Sequence, residues 1–106
     1  MLNNHLVNEV VPLNFHLSQN YPNPFYDKTI IKYCLAYKVK VKLEIFNTDG
    51  ELIELLLNEE QKAGTYEVEF DAGNLLGGLY LYRLKASSGK QGLEDFEDSK
   101  EFKLIK

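Results

Sequence analysis

Few side chains in this sequence are of types that do covalent or metal chemistry, and their spacing decides what they can be. Two histidines, His5 and His16, a single cysteine, Cys34, and the carboxylates Glu94, Asp95, Glu97 and Asp98 are the candidates. A Ser/His hydrolase needs a nucleophile, a base and an orienting acid within mutual reach, and both histidines fall where the chain is least regularly patterned. No triad is expected, and one Cys with two distant His gives no short ligand spacing for zinc. The acidic run offers oxygen ligands to calcium but lacks the alternating Asp/Asn and Gly pattern of a dedicated loop, so a protruding, solvated loop is the expectation. Gly77-Gly78 and Ala63-Gly64 each precede a strand pattern rather than a helix, which removes the usual geometry of a phosphate cradle. Cys34 has no base near it in sequence and shares a strand face with Lys32, the position of a partly covered structural thiol. Tyr66, Tyr80 and Tyr82 suit a sugar-stacking platform by type, but at strand spacing they read as core. The chemistry points away from an enzyme, a metal or a cofactor.

Composition narrows the remaining classes. At 106 residues the chain fits one domain, long enough to bury about two-thirds of its unfolded surface around one core. Lys and Arg number 12 against 16 Asp and Glu, so the electrostatic footprint of a nucleic-acid binder is missing. No apolar stretch approaches the roughly 18 residues of a membrane span. Residues 1–14 lack the basic start and apolar run of a signal peptide; they read as a partly ordered lead-in, with any export signal expected upstream, and residues 15–106 read as the domain.

The elements follow from alternation. Phe15-His16-Leu17-Ser18 has the pattern of a short edge strand. Thr29, Ile31, Tyr33 and Leu35 then share one face and Ile30, Lys32 and Cys34 the other, the period of two of a half-buried strand. Val39, Val41, Leu43 and Ile45 alternate with Lys40, Lys42 and Glu44, and Asp49-Gly50 after them is a strong hairpin signal. The stretch from Glu51 to Asn58 suits either a strand or an amphipathic helix by composition; the tight turn before it and Ala63-Gly64 after it favour a strand, with residues 59–62 as a solvated connection. Tyr66, Val68 and Phe70 alternate with Glu67 and Glu69. Leu75 and Leu76 are expected to tuck a loop onto the core. Tyr80, Tyr82 and Leu84 then alternate with Leu81 and Arg83, and Phe102 and Leu104 with Lys103 and Ile105. The sum is an all-β, immunoglobulin-like antiparallel β-sandwich of about seven strands.

One segment stands apart. In Asn20-Tyr21-Pro22-Asn23-Pro24-Phe25 two prolines fix φ and push Tyr21 and Asn23 out of the helical region, which makes a stiff unit that is neither helix nor regular strand. Tyr21 and Phe25 place an aromatic ring at either side of it, and both are expected to anchor the unit against the domain.

Leu17-Ser18-Gln19 and this segment, together with Thr29-Ile30-Ile31-Lys32-Tyr33, Ile45-Phe46-Asn47-Thr48-Asp49-Gly50, Ala63-Gly64-Thr65-Tyr66, Gly78-Leu79-Tyr80-Leu81-Tyr82-Arg83-Leu84 and Lys103-Leu104-Ile105-Lys106, resemble a known family. That family is the type A C-terminal sorting domain of proteins exported by the type IX (Por) secretion system of Bacteroidetes-type bacteria. The resemblance spans residues 15–106 and departs from the family pattern at Leu76-Gly77-Gly78, at Tyr26 and in the long acidic loop from Ser87 to Lys100. It implies a seven-stranded sandwich without catalysis, used as a removable tail that takes an upstream cargo through the periplasm and across the outer membrane to the cell surface or medium. The implied partners are the outer-membrane secretion machinery and a sortase-type peptidase that cleaves ahead of the domain.

The end of the chain, Lys103, Leu104, Ile105 and Lys106, is the expected recognition element, because a last strand at a sheet edge offers unpaired backbone groups to a receptor strand. A structural or interaction module is the alternative, since the sandwich also resembles the immunoglobulin-like domain of flagellar hook-capping proteins and modules appended to bacterial surface enzymes.

Overall fold

The computed structural model describes residues 3–8 and 10–106; Met1, Leu2, Glu9 and the side chains of Asn3, Asn4, His5 and Asn8, within the stretch read as a lead-in, lie outside the described residues. Among the described residues eight strands form, β1 (Asn3–Asn8), β2 (His16–Leu17), β3 (Lys28–Leu35), β4 (Val39–Asn47), β5 (Leu52–Gln61), β6 (Gly64–Asp71), β7 (Gly78–Ser87) and β8 (Phe96–Leu104). They make two four-stranded sheets, β1-β6-β3-β2 and β5-β4-β7-β8, each antiparallel throughout. The all-β sandwich is therefore the expected one with an added strand. β1 lies in the stretch read as a lead-in and pairs with β6 from Asn3↔Glu69 to Asn8↔Thr65.

Alternation places the core. Ile31, Tyr33 and Leu35 of β3 and Val68 and Phe70 of β6 face Val41, Leu43 and Ile45 of β4 and Tyr82 and Leu84 of β7, all of them buried. Tyr33 stacks on Tyr66 with ring centroids 5.4 Å apart. Its hydroxyl donates to Gln61 Oε1 at 2.6 Å, so Gln61, expected in a solvated connection, is a buried residue at the end of β5. Burial pushes the Tyr33 hydroxyl well above the ordinary phenol range. Cys34 points to the outer face as expected, half-buried, with Sγ 3.6 Å from Thr65 Oγ1.

β5 is a strand whose helix-like composition has a structural cause. Its register against β4 shifts between Leu43 and Glu44 and again between Ile45 and Phe46. Each shift inserts an extra residue and breaks the period of two, which lets the consecutive Leu56 and Leu57 both reach the core while Leu52, Ile53 and Leu55 remain exposed. The hairpin before it is a three-residue loop: Gly50 N–H donates to Asn47 O at 3.1 Å, Asn47 N–H to Glu51 O at 3.0 Å, and Gly50 has φ 83°. That is a type I turn closed by a left-handed glycine.

Two loop expectations change. Leu75 does pack on the core, but Leu76 points into solvent. The acidic run protrudes less than expected: Glu94 O accepts the Tyr37 hydroxyl, Phe96 stacks on Phe15 at 5.4 Å, and β8 already includes Glu97 and Asp98.

Candidate functional site

The stiff segment 20–25 crosses from one sheet to the other. Upstream of it, β2 runs along β3, and Ser18 N–H continues the ladder to Lys32 O at 2.9 Å. Tyr21 and Ile30 then exchange two backbone hydrogen bonds of 3.0 Å each. Past Pro22 and Pro24, Phe25 leaves the first sheet and forms a parallel bridge with Leu104 of the second. Phe25 N–H donates to Lys103 O at 3.1 Å, and Ile105 N–H donates to Phe25 O at 2.8 Å. Asn23 Oδ1 accepts Lys103 N–H at 3.0 Å, and Gln19 Nε2 donates to Glu101 O at 2.7 Å.

The C-terminal half of β8 is thus an edge in strand order only. Its outward backbone at Glu101, Lys103 and Ile105 is occupied by residues 19–25. This corrects the expectation of unpaired backbone groups at the end of the chain: a stretch without ladder geometry of its own supplies the missing partners.

A polar core holds the segment in place. Asn20 is buried; its backbone N–H donates to the Tyr82 hydroxyl at 2.8 Å, and its Nδ2 donates to Thr29 Oγ1 at 3.0 Å and Pro22 O at 3.2 Å. Thr29 Oγ1 in turn donates to Pro22 O at 2.8 Å. The Tyr82 hydroxyl donates to Ser18 O, so this fully buried ring uses its oxygen both as donor and as acceptor. Desolvation pushes that hydroxyl well above the ordinary phenol range, against the lowering effect of the Asn20 backbone contact and with some help from the Asp98 charge.

Phe25 supplies the apolar anchor. It is buried against Phe102 at 5.2 Å and Phe70 at 6.4 Å, and Phe102 stacks on Tyr80 at 5.3 Å. Tyr21, expected to anchor the other side, is instead 80% exposed, and Tyr26 is 70% exposed. Of the four terminal residues, Leu104 is buried, Ile105 is half-buried and Lys103 and Lys106 are exposed. Lys106 Nζ reaches Gly73 O, and the Gly77 backbone runs so close that a Cβ there would meet Lys106 N at 3.2 Å. Tyr21, Pro22, Asn23 and Pro24 of the Pro segment, Tyr26 just past it, and Lys103 and Lys106 at the other side of the bridge are exposed.

Family-model comparison matches residues 19–93 to the secretion system C-terminal sorting domain, Por_Secre_tail. The chain belongs to that family. The match begins at Gln19 and so includes the whole segment that caps β8. Comparison with curated proteins finds no match. Among solved structures the sorting domain is similar to CopC from Methylosinus trichosporium OB3b, at 19% identity and a TM-score of 0.57 over 86% of this chain and 93% of that one. At that identity the likeness is one of fold.

The other positions quoted for the resemblance hold turns, strand starts and core rings in this sorting domain. Gly50 closes the hairpin and Gly64 and Gly78 open β6 and β7, while Tyr66 and Tyr80 are core rings whose hydroxyls donate to Lys62 O and Leu76 O. Arg83 lies on the outer face of β7, 3.0 Å from Glu44 Oε1 and 4.6 Å above the Phe46 ring centroid, with Nε buried and without a hydrogen-bond partner among the described residues. Gln19 and Thr29 lie in stretches that carry the resemblance, but their contacts, and that of Glu44 with Arg83, are not read from patterning. Thr29 carries a visible signal, a polar residue on the inward face of an apolar strand; the other two carry none.

Proposed function

We propose that the chain is a non-catalytic sorting tail that directs an upstream cargo across the outer membrane by type IX secretion, toward the cell surface or medium. The observation that supports this reading is the joining of the Pro segment to the last strand by Phe25, Asn23 and Gln19. It makes the two motif segments one rigid surface, carrying Tyr21, Tyr26, Lys103 and Lys106, on which the secretion machinery and a sortase-type peptidase act. Recognition here is by side chains on a capped edge rather than by strand addition, because the backbone groups are already used.

The test is a signal peptide and reporter fused ahead of residues 1–106, so that β1 is kept, in a cell with type IX secretion. Deleting residues 103–106 is a poor probe, since it removes the buried Leu104 together with the backbone partners of Phe25. A surface variant, Tyr21→Ser with Lys103→Glu and Lys106→Glu, leaves core and ladder intact. The intact fusion is expected outside the cell and the folded surface variant in the periplasm. Export of the variant at the full rate would remove the role assigned to this surface, and retention of the intact fusion would remove the sorting function.

A further inference from the structure

On the outer face of the second sheet, far along the strands from the capped edge, register creates an arrangement that folding alone does not favour. Lys42 of β4 stands directly opposite Lys85 of β7, and Lys40 stands opposite Ser87 one step along the same face. Like charges directly opposite one another on neighbouring strands are destabilising. None of the three ammonium groups is held in an ion pair among the described residues; the nearby pair uses Lys38, 3.3 Å from Glu60. The chain has an excess of acids, with net charge −4, so clustering three cations is not a matter of composition.

The neighbours of the cluster leave it positive. Across β4, Lys42 faces the uncharged Asn58 and Lys40 faces Glu60, whose carboxylate already holds Lys38. Across β7, Lys85 faces Glu97, the other carboxylate at its rim. Glu44, further along β4, is taken up by Arg83. Lys40, Lys42, Lys85, Asn58 and Ser87 together line a shallow pocket of about 300 Å³.

We propose that this pocket is a binding site for a phosphate dianion, either free in solution or carried as a phosphomonoester. Three ammonium groups supply charge and directional donors, and the Asn58 amide and Ser87 hydroxyl supply two further groups that donate to phosphate oxygens. A dianion relieves the Lys42/Lys85 repulsion in a way that chloride does not. The inference is independent of the sorting function, since no residue of the capped edge takes part.

The test uses the whole 106-residue chain and its thermal unfolding in pyrophosphate, inorganic phosphate or chloride at matched ionic strength. Phosphates strengthen burial non-specifically, so the control is a variant of equal charge change on other surfaces, Lys32→Gln with Lys90→Gln. The expected result is a midpoint raised by pyrophosphate above chloride in the native chain and in the control. In Lys42→Gln with Lys85→Gln that increment is lost, while the midpoint in chloride is unchanged or higher because the repulsion is gone. Sedimentation with phosphatidic acid vesicles but not with phosphatidylcholine vesicles, competed by pyrophosphate, would identify a lipid-borne phosphomonoester; an increment in pyrophosphate without vesicle binding would identify a soluble one. An increment kept in the Lys42/Lys85 variant, or none above chloride in the native chain, would overturn the proposal.

Discussion

The two edges of the second sheet are handled in opposite ways. At β8, residues 19–25 cover the outward backbone, a buried phenylalanine fixes the cover, and a buried tyrosine hydroxyl fixes its polar part. At β5 no further strand follows in the sheet order, and the strand instead carries two register shifts and the exposed charges of Glu54, Glu59 and Glu60. Bulges and charge are means by which an open edge avoids pairing with another chain. One edge is therefore closed by a built contact and the other by being a poor template. The closed edge is where the Pro segment meets the last strand, so rigidity has been placed where recognition is proposed.

If that contrast is right, the largest effect comes from the anchor of the closed edge. Phe25→Ala removes a fully buried ring from the cluster with Phe70 and Phe102 and should cost about 3–5 kcal/mol in chemical denaturation. Leu55→Ala, a comparable truncation on the exposed side of β5, should stay within about 0.5 kcal/mol. Equal losses at the two sites would erase the distinction between the edges.

Tyr82→Phe keeps the ring and deletes the oxygen that serves Ser18 O and Asn20 N–H. The buried Asn20 N–H and the half-buried Ser18 carbonyl lose their partner, and the expected loss is about 1–3 kcal/mol. The same hydroxyl gives the fold an alkaline limit. Its folded pKa lies above the unfolded value of 10.0, so unfolded chains release this proton first and the folded state binds more protons above pH 10. Stability from this group is fully present below pH 10 and falls as pH rises beyond it, by up to about 1.4 kcal/mol per pH unit. Denaturation midpoints of Tyr82→Phe between pH 9 and 11 should fall less steeply than those of the native chain, and parallel curves would remove the buried-phenol account.

Gly50→Val probes the open side. With φ 83° at Gly50 and nothing within 4 Å of a built Cβ, its cost is backbone strain alone, on the order of 1–2 kcal/mol. It should weaken the β4–β5 hairpin without loosening Phe25, which an unchanged near-ultraviolet spectrum of the aromatic cluster would register.

What could be read from the sequence follows the reach of each interaction. β3, β4, β6 and β7 alternate in sequence because their inner residues meet a core and their outer residues meet water or, at Glu44, a covering Arg83, so Val39 to Ile45 or Tyr66 to Phe70 declares its own faces. β5 hid its nature because the register shift between Leu43 and Glu44 puts Leu56 and Leu57 on the same side, which a period-two reading cannot express. β1 was missed because the stretch carries no alternation of its own and is specified by its partner β6. For the site, the stiffness of Pro22 and Pro24 and the anchoring role of Phe25 were legible locally. The edge they cover was not, since Asn23 and Lys103 are 80 residues apart and no local pattern encodes that pairing. Tyr21 misled by type: an aromatic beside proline suggested an anchor, whereas its backbone pairs with Ile30 while its ring faces solvent.

The finest test of the closed edge is a single polar contact. Asn23 is exposed, yet its Oδ1 accepts Lys103 N–H at 3.0 Å and completes the cover between Gln19 on Glu101 and Phe25 on Ile105. Asn23→Ala leaves the Phe25 anchor and the Tyr82 hub in place, so global stability should fall by only about 0.5–1.5 kcal/mol. The effect should instead be local. Amide exchange at Lys103 should quicken well beyond the change in global stability, because this N–H points away from β7 and has no ladder partner to replace the lost oxygen. The Ile105 amide, bonded to Phe25 O, should keep its protection, which separates loss of one bond from detachment of the whole segment. If Lys103 and Ile105 exchange faster together and to the same extent, the cover opens as a unit, and Asn23 is then a latch for residues 19–25 rather than one contact among several.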